Sequence, residues 1–159
     1  MPKKKQGNRG TVQHDGLPRL MNDTEWDSYS QDFPGLTRAK AYVTSEGTYD
    51  GYNCIGWTVG DLTCEYDVGP VVEMVQFYRK RGFYEVPVGS EGADVDLMAI
   101  SEDYFASHAI KRYTGPRVDN MPADLWESKL YPGIRITHGR DELEGNSYGV
   151  IVKSFRRAG

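Results

Sequence analysis

The chain is poor in cysteine and histidine, with two of the first and three of the second in 159 residues. Two cysteines, Cys54 and Cys64, cannot build the disulfide framework on which small secreted scaffolds depend. Read as free thiols, they point to a reducing working compartment. Long apolar runs are also missing. No stretch is long and apolar enough to span a membrane, and the lysines near the start have no apolar segment behind them, so no secretory signal is read there. The phosphate-cradling patterns Gly-x-Gly-x-x-Gly and Gly-x-x-x-x-Gly-Lys are absent, as is the Gly-x-Ser-x-Gly elbow. Cys54, Cys64, His108 and His138 lack the short paired spacings of a structural zinc site. No cofactor and no metal are therefore expected.

Charge is unevenly spread. The net charge is −4, but residues 1–20 hold Lys3, Lys4, Lys5, Arg9 and Arg19 against Asp15, a balance of +4 that leaves −8 on the remainder. An acidic body argues against broad nucleic-acid binding, which needs basic surface for phosphates. The basic head reads as a solvated tail in preference to a nucleic-acid arm.

Residues 1–33 are polar and without clear periodicity. They read as a leader or linker with a turn of helix near Asp23–Trp26, and His14 within it reads as incidental. Trp26, Tyr29 and Phe33 are candidates for pinning its end to the body. The globular domain is placed at 34–159. Its clearest helix is Pro70–Gly82, with Pro70 at the first turn, Val71, Val72, Val75 and Tyr78 on one face, a basic last turn and a terminal glycine. Strand-like segments follow at 83–88, 95–100, 105–113, 125–130 and 148–155, with 114–124 as the loop of a long hairpin. Helices first and neighbouring strands afterwards predict an α+β fold with N-terminal helices packed on an antiparallel sheet. The acidic residues Glu91, Asp94, Asp96, Glu102 and Asp103 read as solvated loop.

The most informative segment is Tyr52-Asn53-Cys54-Ile55-Gly56-Trp57. It puts a cysteine after a glycine-marked turn at the head of a short apolar stretch that reads as a helix. Free N–H groups and partial positive charge at a helix start stabilise a thiolate. The Cys54 N–H, with a side-chain donor such as Asn53, is a candidate oxyanion hole. Ser107-His108-Ala109 then places a histidine between small residues at the head of a strand, where a neutral imidazole can take the thiol proton and leave a thiolate–imidazolium pair ready to attack a carbonyl. Cys64 has no such setting and reads as structural. The group that orients His108 is expected from the neighbouring strand. There Trp126, Ser128 and Leu130 share the inward face and Glu127 and Lys129 the other. Asp119 and Asn120 in the hairpin loop are further options, and His138 is either a partner of the site or a turn histidine.

These segments, with Ile136-x-His138 and Leu143-x-Gly145-x-x-Tyr148-Gly149, follow one another in an order that resembles small bacterial domains of papain-like cysteine-peptidase type. Some members of that broad class act as toxin effectors between bacteria. The resemblance covers roughly residues 50–155. It implies Cys54 as nucleophile and His108 as base, with Ser128 and His138 at matching motif positions. It also implies a protein substrate, action in a reducing target-cell cytoplasm, and a cognate immunity protein in the producing cell. The alternatives are a non-enzymatic binding domain on the same fold and a thiol-dependent deamidase or acyltransferase. The chain departs from the papain pattern in lacking a third-position asparagine or aspartate and a glutamine shortly before the cysteine.

Overall fold

The computed structural model describes residues 16–47, 51–130 and 133–159. The strands are β1 (Arg19–Leu20), β2 (Tyr42–Ser45), β3 (Phe83–Val86), β4 (Val95–Ala99), β5 (Ala106–Arg112), β6 (Trp126–Lys129), β7 (Arg135–His138) and β8 (Val150–Arg157). The helices are α1 (Asp23–Asp32), α2 (Cys54–Val59) and α3 (Val71–Lys80), with a 3₁₀ turn at Arg38–Lys40. The strands form one sheet in the order β1-β2-β7-β6-β5-β4-β8-β3. Every pairing is antiparallel. The architecture is mixed α and β with an antiparallel sheet, as expected, but the sheet dominates.

Both faces of the sheet are covered, so its central strands are buried throughout rather than alternating. All five residues of β4 and all four of β6 are buried. On one face α2 and α3 lie against Phe83, Val95, Leu97, Ala109 and Phe155. The buried side of α3 is Val71, Met74, Val75 and Tyr78, an i, i+3, i+4, i+7 stripe. Val72, expected on that side, sits about 100° round the helix from Val71 and is exposed. Tyr78 stacks on Phe155 with ring centroids 4.7 Å apart. On the other face Met98, Ile110, Trp126 and Ile136 meet Met21, Phe33 and Leu143, with Trp26 and Tyr29 of α1 against them.

The boundary at residue 33 needs correction. Residues 1–15, with the basic head and His14, lie outside the described residues. Residues 16–33 are part of the body. Asn22 caps α1 in a reciprocal capping box with Glu25, and Arg19 pairs with Glu25 at 2.8 Å. Met21 and Phe33 are buried in the core. The sequence showed only the first turn of this helix because its face is narrow and half-polar, with no residue fully buried, but Trp26, Tyr29 and Phe33 do pin the segment to the body as expected. Two further expectations change. β7 makes His138 a buried strand residue and not a turn residue. Asp96 is not in a solvated loop. It is fully buried in β4, bonded to Arg140 at 2.6 and 2.8 Å and to the Ser154 hydroxyl at 2.7 Å.

Candidate functional site

The site is built where α2 meets β5. Asn53 caps α2: its side-chain oxygen accepts the Gly56 N–H at 3.1 Å and the Tyr66 N–H at 3.3 Å, and its Nδ2 donates to the Tyr66 carbonyl at 2.8 Å. Those bonds hold loop 60–70 over the helix start and use the Asn53 oxygen and one of its two Nδ2 hydrogens. Asn53 is therefore a cap and a loop tether that lines the cavity with one amide hydrogen still to donate. Gly56 serves the same loop. A Cβ there would stand 2.6 Å from the Asp61 carbonyl oxygen and 2.7 Å from that of Cys64.

Cys54 opens α2 as expected and is buried. The backbone N–H groups of Ala109, Ile55 and Cys54 itself act on its sulfur, yet burial outweighs them and pushes the thiol up to about 11. The expected lowering by the helix start is thus reversed. The helix has six residues, and desolvation of a thiolate costs more than its first turn returns. The Ala109 N–H is available because β5 pairs with β6 only at Lys111–Glu127 and Arg112–Trp126. Beyond them the ladder ends, and the sulfur meets the β5 backbone one residue from His108.

His108 is 1% exposed, and its Nε2 is buried without a hydrogen-bond partner. Burial, and secondarily the nearby His138, depress it to about 3. Its ring lies flat on Tyr148, centroids 3.9 Å apart and planes 3° from parallel. Tyr148 is held there by its backbone. The Ser107 hydroxyl donates its one proton to the Tyr148 carbonyl, with the Met98 carbonyl 3.2 Å away, and Gly149, at φ 82°, lets the chain press on the Ala99 carbonyl where a Cβ would collide. Phe33 packs against the tyrosine ring, centroids 5.2 Å apart.

Cys54 and His108 line one cavity of about 340 Å³, together with Asn53, Glu65, Val68, Ser107, Lys129 and Tyr148. The buried Lys129 amine donates to the Gly133 carbonyl at 2.7 Å and lies 5.2 Å from the centre of the Tyr52 ring. With the thiol pushed up and the imidazole depressed, the resting pair is neutral thiol and neutral imidazole, not the thiolate–imidazolium pair expected. A neutral imidazole is the form that acts as a general base.

The expected orienters are elsewhere. Ser128 does point to the inward face, but its hydroxyl bonds His138 Nε2 at 2.7 Å. His138 Nδ1 lies 2.6 Å from the Gly139 carbonyl, which can only accept. Nδ1 therefore carries the proton, Nε2 accepts, and Ser128 donates. Burial drives His138 to about 4, so this pair is a neutral internal bond beside His108. Glu127 bonds Arg135 at 3.0 Å and Thr44 at 2.6 Å. Asp119 and Asn120 are exposed in the loop after β5, at the opposite end of that strand from His108. Sequence reasoning missed Tyr148 as the group on His108. The Tyr148-Gly149 pair was its one signal, since a glycine next to an aromatic marks a close backbone approach. Among the described residues no group of three His, Cys, Asp or Glu side chains is placed to hold a metal.

No helix among the described residues is long and apolar enough to cross a membrane. No curated protein and no solved structure matches the chain. Residues 42–156, from the first residue of β2 into β8 and including every residue of this cavity, match the model of a domain of unknown function, DUF7689, and the chain belongs to that family.

Proposed function

We propose that the cavity is the active centre of a papain-like thiol hydrolase, a peptidase in the first instance. One observation carries the reading: the Cys54 sulfur shares a cavity with His108, a neutral histidine whose buried Nε2 has no partner within the protein. An orphaned buried nitrogen is costly, and a reacting group can repay that cost. In the step proposed, the imidazole takes the thiol proton as sulfur bonds to the substrate carbonyl carbon. The carbonyl electrons move onto oxygen, for which the Cys54 N–H and the second Asn53 Nδ2 hydrogen are the proposed donors. The imidazolium returns its proton to the departing amine, and water hydrolyses the thioester. Because Cys54 starts as a thiol, proton transfer accompanies attack.

Cleavage of fluorescently labelled casein tests this. Wild type is expected to release fragments, while Cys54→Ala and His108→Ala, folded by circular dichroism, fall by several orders of magnitude. Cleavage by folded Cys54→Ala would refute it. Mass analysis that shows a one-dalton gain without fragments would instead assign deamidation.

A second reading has its own observation. A thiol buried and pushed up to about 11 is what a core cysteine looks like, which favours a non-enzymatic binding domain. Inert wild type in the same assay selects it. Delivery into a rival cell as a toxin, countered by an immunity protein, rests on the family resemblance alone. Its test is growth arrest on expression in a bacterial cytoplasm, relieved by Cys54→Ala.

A further inference from the structure

We infer that the surface beside the cavity docks an extended polypeptide segment that is both apolar and cationic, and that such segments are the substrate class. The proposal rests on the thiol-hydrolase reading and names what that centre acts on.

Large apolar side chains stand exposed at nine described positions, and five of them, Val72, Ile100, Tyr104, Phe105 and Val150, gather at one end of the sheet. The backbone ties them into one surface. The Tyr104 carbonyl accepts the Val71 N–H at 2.9 Å, Pro70 bridges Phe105, and the Tyr104 and Phe105 rings meet edge to face at 5.9 Å. Ala99 pairs with Val150, which sets Ile100 beside β8. Apolar patches of this kind on a monomer mark interaction surfaces.

The patch adjoins the cavity along three chain segments. Phe105 runs into Ser107 and His108, Val150 follows Tyr148-Gly149, and Val72 follows Val68, a lining residue whose neighbour Gly69 accepts the Ala106 N–H at 2.9 Å. A chain lying on the patch therefore leads toward the sulfur.

The rim decides the charge. Between residues 41 and 110 the only basic side chains are Arg79, Lys80 and Arg81 at the end of α3 far from Val72, and of these Arg81 lies over the Tyr66 ring at 5.2 Å. Glu65, Asp67, Glu73, Glu102 and Asp103 are all exposed there. Lys153 offsets only Glu102, at 3.5 Å, and shares itself with Glu85 at 3.0 Å. Lys129 is buried and bonded within the protein. Apolar surface ringed by carboxylates attracts a cationic chain and repels nucleic acid or an anionic membrane.

The test uses full-length protein and three labelled peptides of about 12 residues: one of Lys with Phe and Leu, one with Lys replaced by Glu, and one with Phe and Leu replaced by Ser. Fluorescence anisotropy with Cys54→Ala reads binding, and wild type reads cleavage. The first peptide is expected to bind at least on the order of tenfold tighter than either control. Glu73→Lys with Asp103→Lys, and separately Phe105→Ser, should each remove most of that preference while the thermal midpoint holds. Equal binding of all three peptides, or a preference indifferent to these substitutions, overturns the docking surface. Cleavage of all three alike overturns the substrate class but keeps the hydrolase. Selective binding without cleavage supports the surface and overturns the hydrolase.

Discussion

Acid should unfold this protein earlier than its carboxylates alone would dictate, because two buried histidines are held neutral. His108 is depressed to about 3 and His138 to about 4, in both cases chiefly by burial. An unfolded imidazole titrates near 6.5. Between that value and the folded values the unfolded chain binds more protons, so stability is complete above about pH 6.5 and falls as pH falls. At about pH 4.5 each unfolded histidine has gained roughly two pH units of protonation free energy at about 1.4 kcal/mol each, while the folded ones remain mostly neutral. The two together remove on the order of 5 kcal/mol, against about 5–15 kcal/mol for the total stability of an ordinary domain. Glu127, whose carboxyl burial pushes up, works in the opposite sense and trims the loss. Urea titrations followed by tryptophan fluorescence at about pH 7.5 and 4.5 measure it. His138→Gln should remove about half of the pH dependence, whatever it does to stability at neutral pH. Equal stability at both values, or an unchanged slope in His138→Gln, would refute the neutral-histidine account.

If Tyr148 orients His108 through its ring face, Tyr148→Phe should keep near wild-type turnover and an unchanged pH profile. Tyr148→Ala should lose on the order of tenfold to a hundredfold in kcat with little change in KM, as expected when a base is misplaced. Ser128→Ala strips His138 of its donor and should cost about 1–2 kcal/mol of stability with near-normal activity; a crippled enzyme of normal stability would return Ser128 to the catalytic machinery. Asp96→Ala leaves Arg140 uncompensated beside the core and should cost about 3–5 kcal/mol in urea titration, the range for breaking a buried pair. A loss below about 1 kcal/mol would show that water reaches that pair.

What the sequence made legible was local. α3, five of the six strands that follow it (β7 excepted), the hairpin over 114–124 and the helix start at Cys54 all follow from periodicity, proline and glycine. What it hid was long-range. β1 and β2 join the sheet through β7, a partner some ninety residues later that no pattern near Tyr42 announces. The pairing of Ser128 with His138 instead of His108 depends on register between β6 and β7. The protonation of Cys54 was read in the wrong direction for a related reason. Helix-start charge is visible in sequence, whereas the burial that outweighs it is set by the tertiary packing of loop 60–70 and Tyr148.

The most direct measurement of the central claim is covalent trapping. A peptide carrying a thiol-directed epoxide is incubated with the protein at neutral pH, and intact mass and peptide mapping locate the adduct. The account predicts one adduct, on Cys54, lost in His108→Ala and absent from the more exposed Cys64. Modification of Cys64 in preference, or equal modification of Cys54 with and without His108, would contradict it.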